Sequence, residues 1–507
     1  MGKEIELKLE VPPQELRRLK GWRALSRKGA SEQDLASVYF DTPKHKLGKS
    51  GISLRIRRNG KKRLQTIKSQ GADGSFRRGE WEDEIKGDVP DLRKVQGTAL
   101  EPLLTKKLKH KLMPVFETRV RRTVGPVRRN GSRIEVALDT GEIRAGRRSA
   151  PISEVELELK GGDVGEVFEL ARELGKHVSV KLALNSKSQR GYDLLDNKRI
   201  EPARAGKIEL RHGMSPVEAF LVIGRSILRH IAANEPAVRR SDPEGVHQMR
   251  IGLRRLRGAM ALFKRLLGDK QSERIKSELK WLTGELAPAR DLDVYEKSKI
   301  EPLRGVLPGK TGMKELADTL ASRRAGAFNR AKAAIDSPRY RSLLLDTLQW
   351  LENGDWAKHR RRQGGPPIER FAAKVLARRT KKAKKKAGKL RQLDPRQRHK
   401  LRIAVKKLRY GSDFFENLFV GHKAGKRLSR FKVRLKGLQD CLGALNDISV
   451  QQTLASKLAT RRPHAKNRTR AFAAGFVTGS EQSEIKPLLA AADEHAAKFA
   501  HSRPYRT

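Results

Sequence analysis

One cationic segment occurs twice in this chain, and it constrains the fold of the C-terminal half more than any other feature. The first copy reads HQMRIGLRRLR over 247–257, and the second reads HKLRIAVKKLR over 399–409. Basic or histidine side chains recur at relative positions 0, 3, 7 and 10, which places them within roughly 80° on one helix face. These side chains, called the two cationic stripes below, are His247, Arg250, Arg254 and Arg257, and His399, Arg402, Lys406 and Arg409.

Each copy also has apolar residues on the opposite helix face, so each has a side that can pack into a core. The stripes contain no acidic residue, although like charges at this spacing destabilise a helix by about 0.2–0.5 kcal/mol per pair. A solvated surface is one interpretation, but surface helices usually mix Glu with Lys. The repetition of a self-repelling pattern favours a binding surface for a polyanion.

The duplication extends beyond the stripes and predicts the architecture around them. Five residues after the first copy match five after the second at an offset of 156: Leu279, Leu282, Leu286, Asp291 and Val294 correspond to Leu435, Leu438, Leu442, Asp447 and Val450. Two helical bundles fused head to tail, spanning about 214–350 and 366–500, are therefore expected. The two aspartates are expected to pair with cationic neighbours or to cap helices rather than to contact an anionic ligand.

The first two hundred residues follow a strand pattern instead. Short alternating runs, many of them separated by Gly, Asn or Asp, lie at 4–11, 36–42, 52–58, 63–69, 79–85, 116–124, 132–139 and 152–160. Helical patterns intervene near 12–20, 98–111 and 163–174. The prediction is an α+β multidomain protein: an eight-stranded antiparallel β tunnel or barrel with flanking helices over 1–201, a linker over 202–213, and an all-α duplicated bundle over 214–500.

Three helix starts in the C-terminal half have clear signals. Ser215-Pro216, Asp242-Pro243 and Asp394-Pro395 each combine a good N-cap residue with a proline in the first turn. The latter two mark the predicted starts of the two helices that carry the cationic stripes.

The net charge of +54 implies an anionic partner such as nucleic acid, acidic lipid or a phosphate polymer. The single cysteine, Cys441, excludes an intramolecular disulfide and fits a reducing compartment. The N-terminus lacks the apolar core of a secretory signal. The sequence also contains no run of about 18 apolar residues, the length that a transmembrane helix requires. A cytoplasmic protein with no membrane partner is expected, and no feature specifies an oligomeric state.

Charged and aliphatic side chains alternate along the N-terminal strands. In the first strand Glu4, Glu6 and Lys8 alternate with aliphatic residues, and the same pattern recurs in most of the others. An apolar lumen would leave these charges in water, whereas a charged lumen would bring acids and bases together inside. The second arrangement suits a divalent metal bridged to a phosphate chain, because carboxylates bind hard cations and Arg or Lys binds phosphate oxygens.

Residues 1–200 resemble the CYTH family of triphosphate tunnel metalloenzymes. The motifs that carry the resemblance are the ExExK strand of Glu4, Glu6 and Lys8, the LRIR strand at 54–57, Thr66-Ile-Lys68, Asp139 in ALDTG, the ExExExK strand at 154–160, and Ser186-Lys187 before Arg190-Gly191-Tyr192. Residues 214–500 resemble the CHAD domain, a duplicated helical bundle with characteristic histidines and basic residues. The two domains are known to occur fused in this order.

The resemblance implies roles for individual residues. Catalytic roles fall to Glu4, Glu6, Lys8, Glu154 and Glu156, and the metal, Mg²⁺ or Mn²⁺, would be held by Glu4, Glu6, Glu154 and Glu156, with Glu158 and Asp139 in the same acidic cluster. The phosphates would be bound by Arg55, Arg57, Lys68, Arg78, Arg119, Arg121 and Lys187, together with Lys8. CHAD domains bind inorganic polyphosphate and associate with polyphosphate granules, which implies that role for the eight stripe residues.

The expected function is metal-dependent hydrolysis of inorganic triphosphate, joined to polyphosphate binding by the helical domain. No Walker A motif is present, so P-loop chemistry is not expected. A polyphosphate-binding scaffold without catalysis is one alternative. A nucleic-acid-binding protein is another, but aromatic residues are only 5% of the chain and do not interleave with the stripes, so only nonspecific electrostatic binding is expected. His247 and His399 are expected to be partly protonated near neutral pH, so that polyanion binding strengthens as pH falls.

Overall fold

A computed structural model of the chain describes residues 3–19, 21–22, 30–69, 77–183, 185–303, 310–357, 366–419, 421–459 and 465–502. The chain divides into two compact units. The first contains residues 1–201 together with 341–354, and the second contains 202–340 together with 355–507. The first unit is therefore not contiguous in sequence, which differs from the division predicted above.

The first unit is built on a single antiparallel sheet. Its strands are β1 (Lys3–Glu10), β2 (Ser31–Asp41), β3 (Ile52–Asn59), β4 (Lys62–Ser69), β5 (Arg77–Glu84), β6 (Met113–Arg129), β7 (Ser132–Ala145), β8 (Arg148–Gly161) and β9 (Lys181–Leu182). They are ordered β5-β4-β3-β2-β6-β7-β8-β1-β9. All eight predicted strands are found, and the ninth is a two-residue strand that the sequence pattern did not predict.

The sheet curls around a central cavity because β1 pairs with β8 on one side and with β5, the strand at the other end of the sheet, on the other. The pairing with β8 covers residues 6–10 of β1, and the pairing with β5 covers residues 3–5. The hairpins that join β3 to β4 and β6 to β7 turn through Gly60 and through Asn130-Gly131, all at positive φ. The predicted antiparallel β architecture of this region is confirmed.

The charged face of the strands points inward, and the aliphatic face is covered from outside. Leu7 and Leu9 of β1, and Val155 and Leu157 of β8, are fully buried on the outer face. The helices that contact this side are α1 (Pro13–Leu19) and α4 (Val164–His177). On the other side, Leu54, Ile56 and Ile67 belong to a core cluster that also includes Val95, Leu100 and Leu108 from the 92–112 segment. Of the two arrangements left open by the sequence, the structure has the charged lumen.

Three further helices complete the sheet-containing part of the first unit. They are α2 (Lys46–Lys49), α3 (Lys106–Lys109) and α5 (Lys187–Leu195), and short 3-10 turns lie at Leu92–Val95 and Glu101–Leu103. Ser186 caps α5 by accepting a hydrogen bond from the Gln189 backbone N–H. This cap fixes the start of α5, and Lys187 is therefore its first residue.

The second unit is helical. Its elements are α6 (Pro216–Ala233), α7 (Glu235–Arg239), α8 (Pro243–Leu262), α9 (Lys270–Tyr295) continued by a π turn (Glu296–Ile300), α10 (Glu301–Leu303), α11 (Lys310–Asp336), α13 (Ile368–Ala387), α14 (Pro395–Phe414), α15 (His422–Ala459) and α16 (Ala465–Ala500). Helix α12 (Pro338–Asn353) lies between α11 and α13 in sequence, and most of it belongs to the first unit. The predicted helical fold of the C-terminal region is confirmed.

The two stripe helices, α8 and α14, begin and end at corresponding positions of the duplicated sequence. Asp242 caps α8 and Asp394 caps α14, each is followed by a proline, and the helices end at Leu262 and Phe414. Both pairs of ends are separated by the 152-residue offset of the stripes. The predicted starts at 215–216, 242–243 and 394–395 are confirmed.

None of the helices in the described part of the chain combines the length and the apolar character that a transmembrane helix requires.

Candidate functional site

The cavity inside the curled sheet, called the tunnel below, is lined mainly by charged side chains from several strands. Glu6 and Lys8 come from β1, Arg55 and Arg57 from β3, and Lys68 from β4. Glu80, Arg122, Glu156 and Lys187 complete the charged lining. Because alternate residues of a strand share a face, the alternating motifs of the sequence supply this lining directly.

Three buried carboxylates form the acidic centre of the tunnel. Asp139 of β7 lies directly opposite Glu154 of β8, and Glu156 follows two residues later on the same face. Their oxygen atoms lie within 4.8 Å of one another, and Asp139 is completely buried. An isolated buried carboxylate is costly, so such a cluster requires bound cations.

The Lys187 ammonium group lies among all three carboxylates. Its Nζ is 2.7 Å from Asp139 Oδ2 and 2.9 Å from Glu156 Oε1, and it also donates to Glu154. Burial would lower the pKa of Lys187, but Glu156, Asp139 and Glu154 raise it above its usual value. The carboxylates therefore form a cation-binding centre, and Lys187 occupies it here.

Arg122 of β6 is the second cation of this centre, and the sequence analysis did not identify it. Its guanidinium donates to both oxygens of Asp139 at 2.7 Å and also to Glu156. The structure places the predicted Arg119 and Arg121 outside the tunnel, with side chains 59% and 64% exposed. They pair there with Glu117 and Asp34, so the tunnel arginine of β6 is Arg122.

The register of β6 explains this difference. Inward and outward residues alternate along a strand, so adjacent arginines at 121 and 122 must face opposite sides. Placing Arg119 and Arg121 in the tunnel would put Val120, which lies between them, on the outer face, but Val120 packs in a core cluster with Tyr39 and Phe116. The inner face of β6 is therefore apolar at Val120 and cationic at Arg122.

Lys8 is the third cation beside the acidic centre. It donates a hydrogen bond to Glu156 and lies 3.1 Å from Glu6. Burial would lower the pKa of Lys8, but Glu156 and Glu6 raise it. Burial also opposes ionisation of Glu156, yet Lys187, Lys8 and Arg122 hold its pKa well below the usual range. Glu156 is therefore ionised at neutral pH.

The remaining basic side chains of the tunnel have fewer contacts with carboxylates than the three bases around the acidic centre have. Arg57 has its pKa lowered to about 10, first by burial and then by Arg55 and Arg122. The Nε of Arg55 is buried without a hydrogen-bond acceptor in the described residues. Lys68 pairs with Glu80 at 2.9 Å. These three side chains form a cationic wall that is separate from the three bases around the carboxylates.

Tyr39 of β2 also faces the tunnel and was not predicted. Burial would raise the pKa of its phenol, but Arg55 and Arg57 lower it, and Arg55 is also hydrogen-bonded to it. Its ring stacks on Phe116, with centroids 4.5 Å apart. Tyr39 lies on the same face of β2 as Ser37, which accepts a hydrogen bond from Arg57, and this contact is known only from the folded chain.

Among the other predicted residues, Glu158 lies outside the acidic centre, and the side chains of two more are not described. Glu158 pairs with Lys160 at 2.7 Å, further along β8. Glu4 and Arg78 lie opposite each other in the β1–β5 pairing, but their side chains fall outside the described residues. Of the six predicted metal ligands, the structure brings together Asp139, Glu154 and Glu156, with Glu6 lining the same cavity.

The donor set of the acidic centre fits a hard divalent cation. Three carboxylates offer oxygen ligands within reach of one ion, which is the ligand chemistry that Mg²⁺ and Mn²⁺ prefer. The contacts of Lys187 with all three acids show independently that a cation is stabilised at this point.

The second candidate site lies on α8 and α14. Glycines allow these helices to approach closely: a Cβ at Gly258 would lie 3.0 Å from Tyr410 Cδ2, and one at Gly411 would lie 3.2 Å from Leu262 Cδ2. The two stripes consequently act on each other, since Arg254 contributes to lowering the pKa of both Arg402 and Lys406 after the effect of burial. The stripes therefore form one continuous cationic surface.

Several guanidinium nitrogens of this surface are buried without an acceptor in the described residues. The atoms concerned are Nε of Arg250, Arg254, Arg402 and Arg409 and Nη1 of Arg250. Asp291 lies 3.6 Å from Arg250 and Asp447 lies 3.8 Å from Arg402, which confirms the expected pairing of these aspartates with cations. These two carboxylates leave the five buried nitrogens without an acceptor, and an anionic ligand could supply one.

The stripe histidines differ from each other. His247 is partly buried, and burial first, then Arg290, lowers its pKa to about 4. It is therefore neutral at pH 7, and the expectation that it is partly protonated is wrong. His399 is exposed, and its Nδ1 lies 2.7 Å from Asn446 Oδ1.

The two regions match two family models. Residues 2–192 match the model described as CYTH domain, and residues 223–456 match the model described as CHAD domain. The inorganic triphosphatase of Haemophilus influenzae is 35% identical over 207 residues, which are 39% of this chain and 56% of that protein. The chain thus spans about half the length of that relative.

A solved structure resembles the helical region. The crystal structure of the CHAD domain from the plant Ricinus communis is 29% identical, with a TM-score of 0.52. The similarity covers 60% of this chain and 99% of that domain.

Proposed function

Residues 2–192 form a CYTH domain and residues 223–456 form a CHAD domain, and on this basis we propose a metal-dependent inorganic triphosphatase that also binds inorganic polyphosphate. The observation that carries the proposal is the pairing, inside one tunnel, of a buried carboxylate triad with a separate cationic wall. The similarity to a protein named inorganic triphosphatase supports the choice of substrate.

The tunnel residues divide into two groups by their partners. Asp139, Glu154 and Glu156 would hold the metal, and Glu6 and Glu4 of β1 are assigned to the same role. Bound Mg²⁺ or Mn²⁺ would neutralise charge on the phosphate oxygens and orient the terminal phosphoryl group. Lys187, Lys8 and Arg122 keep Glu156 ionised, so this carboxylate is available to a divalent cation at neutral pH.

Arg55, Arg57 and Lys68 would bind the phosphates. The buried Arg55 Nε has no hydrogen-bond acceptor in the described residues, and the pKa of Arg57 is lowered first by burial and then by the positive charges of Arg55 and Arg122. An entering triphosphate would supply an acceptor for Arg55 and negative charge beside Arg57. Because these donors are fixed on β3 and β4, they can stabilise charge on the leaving phosphate without reorganisation while water attacks the terminal phosphorus in line.

Replacement of Glu156 tests the tunnel assignment. Glu156→Ala should lower phosphate release from triphosphate by at least about 100-fold, because it removes one ligand of the triad and leaves Lys8, Arg122 and Lys187 with fewer acidic partners. Glu4→Ala is expected to act in the same direction. The matched control is Glu142→Ala, whose carboxylate lies on the same sheet, pairs with Arg144 and is remote from the triad.

Phosphate release is measured with excess Mg²⁺ or Mn²⁺, and circular dichroism verifies that each variant is folded. Folded Glu4→Ala and Glu156→Ala variants that both retain the wild-type rate would overturn the assignment. An inactive wild-type chain that still binds polyphosphate would instead support the scaffold without catalysis.

For the helical region, the proposed ligand is inorganic polyphosphate, and the buried, unpartnered guanidinium nitrogens of the stripes support it. Such a ligand would bring the chain to polyphosphate granules. DNA carries similar phosphate charge, so competition separates the two ligands. Long-chain polyphosphate should displace labelled DNA from the full chain at physiological salt, whereas Arg250→Gln/Arg402→Gln should bind polyphosphate at least about tenfold more weakly. Displacement of polyphosphate by DNA would contradict the assignment.

A further inference from the structure

A second strongly basic cavity lies on the CYTH domain, outside the tunnel. Its volume is about 650 Å³, and it is lined by the β2–β3 connection and by the segment around α3. Five lysines contribute, Lys44, Lys46, Lys49, Lys107 and Lys111, and the other lining residues include Thr42, Ser50 and Thr105. This group of five is called the lysine pocket, and no acidic side chain lines it.

The five lysines of the lysine pocket lie together without an acidic side chain among them. Several exposed arginines elsewhere on the sheet do have acidic partners, such as Glu117 beside Arg119 and Glu142 beside Arg144. None of the five lysines forms an ion pair with any residue in the described ranges. Two nearby acids are already engaged: the Asp41 carboxylate is buried, and Asp196 pairs with His45 at 3.1 Å. An anionic ligand would therefore supply the missing charge.

The short helix α2, which carries Lys46 and Lys49, is held rigidly. The Asp41 carboxylate accepts hydrogen bonds from the backbone N–H groups of Leu47 and Gly48, each at 2.9 Å. It also accepts one from the Tyr192 hydroxyl at 2.8 Å. A Cβ at Gly48 would lie only 2.7 Å from the Tyr192 ring, so only glycine permits this approach. The lysines of α2 are thus presented from a fixed backbone.

The same helix separates the lysine pocket from the tunnel. Gly48 and the following Gly51 line the tunnel, whereas Lys46, Lys49 and Ser50 line the lysine pocket. The two cavities are therefore on opposite sides of one anchored helical turn. A linear phosphate chain long enough to pass this turn can contact both cavities, but triphosphate bound in the tunnel leaves the lysine pocket empty.

We propose that the lysine pocket is a second phosphate-binding site, which takes the distal part of linear inorganic phosphate chains longer than triphosphate. The proposal rests on the proposed function of the tunnel and extends its substrate class. It predicts that longer chains bind the CYTH domain more tightly than triphosphate does, through contacts that the tunnel does not supply.

Kinetics of the full chain test the proposal with two substrates, inorganic triphosphate and linear inorganic pentaphosphate. Lys107→Gln/Lys111→Gln should raise KM for pentaphosphate roughly three- to tenfold, because two exposed charge contacts are lost. KM for triphosphate should stay within about twofold of the wild-type value. The matched control is Lys61→Gln/Lys62→Gln, which removes two exposed lysines from the β3–β4 turn of the same domain. An unchanged pentaphosphate KM, or an equal rise in the control, overturns the proposal.

A second measurement does not depend on turnover. Amine-reactive labelling with mass spectrometry should show that pentaphosphate protects Lys107 and Lys111 but not Lys61 and Lys62, whereas triphosphate protects none of the four. If the wild-type chain hydrolyses neither substrate, the proposed function fails and the labelling alone decides this site. Equal labelling with and without pentaphosphate overturns the second site whatever the kinetics show.

Discussion

At the scale of single residues, the two candidate sites treat positive charge in opposite ways. In the tunnel, Lys187 is surrounded by carboxylates, which raise its pKa. On the helical surface, Lys406 is surrounded by other cations. Burial first, then Arg402 and Arg254, lower its pKa to about 8. Lys187 therefore neutralises carboxylates of the protein itself, whereas the charge of Lys406 would be balanced by a bound anionic ligand.

The lowered pKa of Lys406 predicts how polyphosphate binding depends on pH. A bound polyanion stabilises the charged amine and raises its pKa, so binding above about pH 8 must take up a proton. The contribution of Lys406 to affinity should therefore be nearly constant from about pH 6 to about pH 7.5, and affinity should then fall by up to tenfold per pH unit above about pH 8. His247, with a pKa of about 4, does not titrate in this range, so the pH dependence belongs to the lysine rather than to that histidine.

Calorimetry in two buffers of different ionisation enthalpy would measure this proton uptake directly. Lys406→Arg is the matched variant, because arginine keeps the positive charge to a much higher pH. It should bind polyphosphate without proton uptake at pH about 8.5 and should flatten the affinity profile between about pH 8 and about pH 9.5. Undiminished proton uptake by Lys406→Arg would show that another group is responsible.

At the scale of elements, the tunnel shows how far the sequence pattern reaches. Alternation of charged and aliphatic residues located β1, β3 and β8 correctly and assigned Arg55, Arg57, Glu154 and Glu156 to one interior. The pattern succeeded there because the aliphatic residues that alternate with these charges, such as Leu54 of β3 and Val155 of β8, lie on the outer face. It did not decide between the two possible interiors, since period 2 defines two faces but does not say which one meets solvent.

On β6 the same reasoning gave the wrong side of the strand. The sequence RVRR contains arginines of both parities, and the choice depended on whether Val120 faces in or out. The answer comes from tertiary packing: Val120 joins Tyr39 and Phe116 in a core cluster at the inner face. No local property of β6 contains that information, so Arg122 could be identified only from the folded chain.

The stripe helices were more predictable because their signals are local. An N-cap aspartate and a first-turn proline fix the start of α8 and of α14 without reference to any other element. What remained hidden was their mutual packing. It depends on Gly258 and Gly411, whose missing side chains permit the close contacts with Tyr410 and Leu262.

At the scale of the whole molecule, the first unit has a feature that no domain boundary in the sequence suggests. Residues 341–354, distant in sequence, belong to it together with 1–201. Arg172 of α4 donates a hydrogen bond to Asp346 at 2.9 Å, and Asn353 donates one to Asp163, the N-cap residue of α4, at 2.9 Å. Glu352 lines a small cavity with Val164, Val167 and Phe168. This segment therefore covers α4, the helix that packs on the outer face of β1 and β8.

A fragment that ends at residue 201 should consequently be less stable than the same domain with its distant segment. Loss of the cover exposes apolar surface of α4 and leaves Arg172 without Asp346, at a cost of about 2–4 kcal/mol, so the fragment should melt several degrees lower. A synthetic peptide of residues 341–354, added in excess, should raise the Tm of the fragment, because a ligand that binds only the folded state stabilises it. The control peptide carries Asp346→Ala and should give a smaller rise, since it cannot pair with Arg172. Equal Tm values with and without the native peptide would mean that the CYTH domain is complete within residues 1–201.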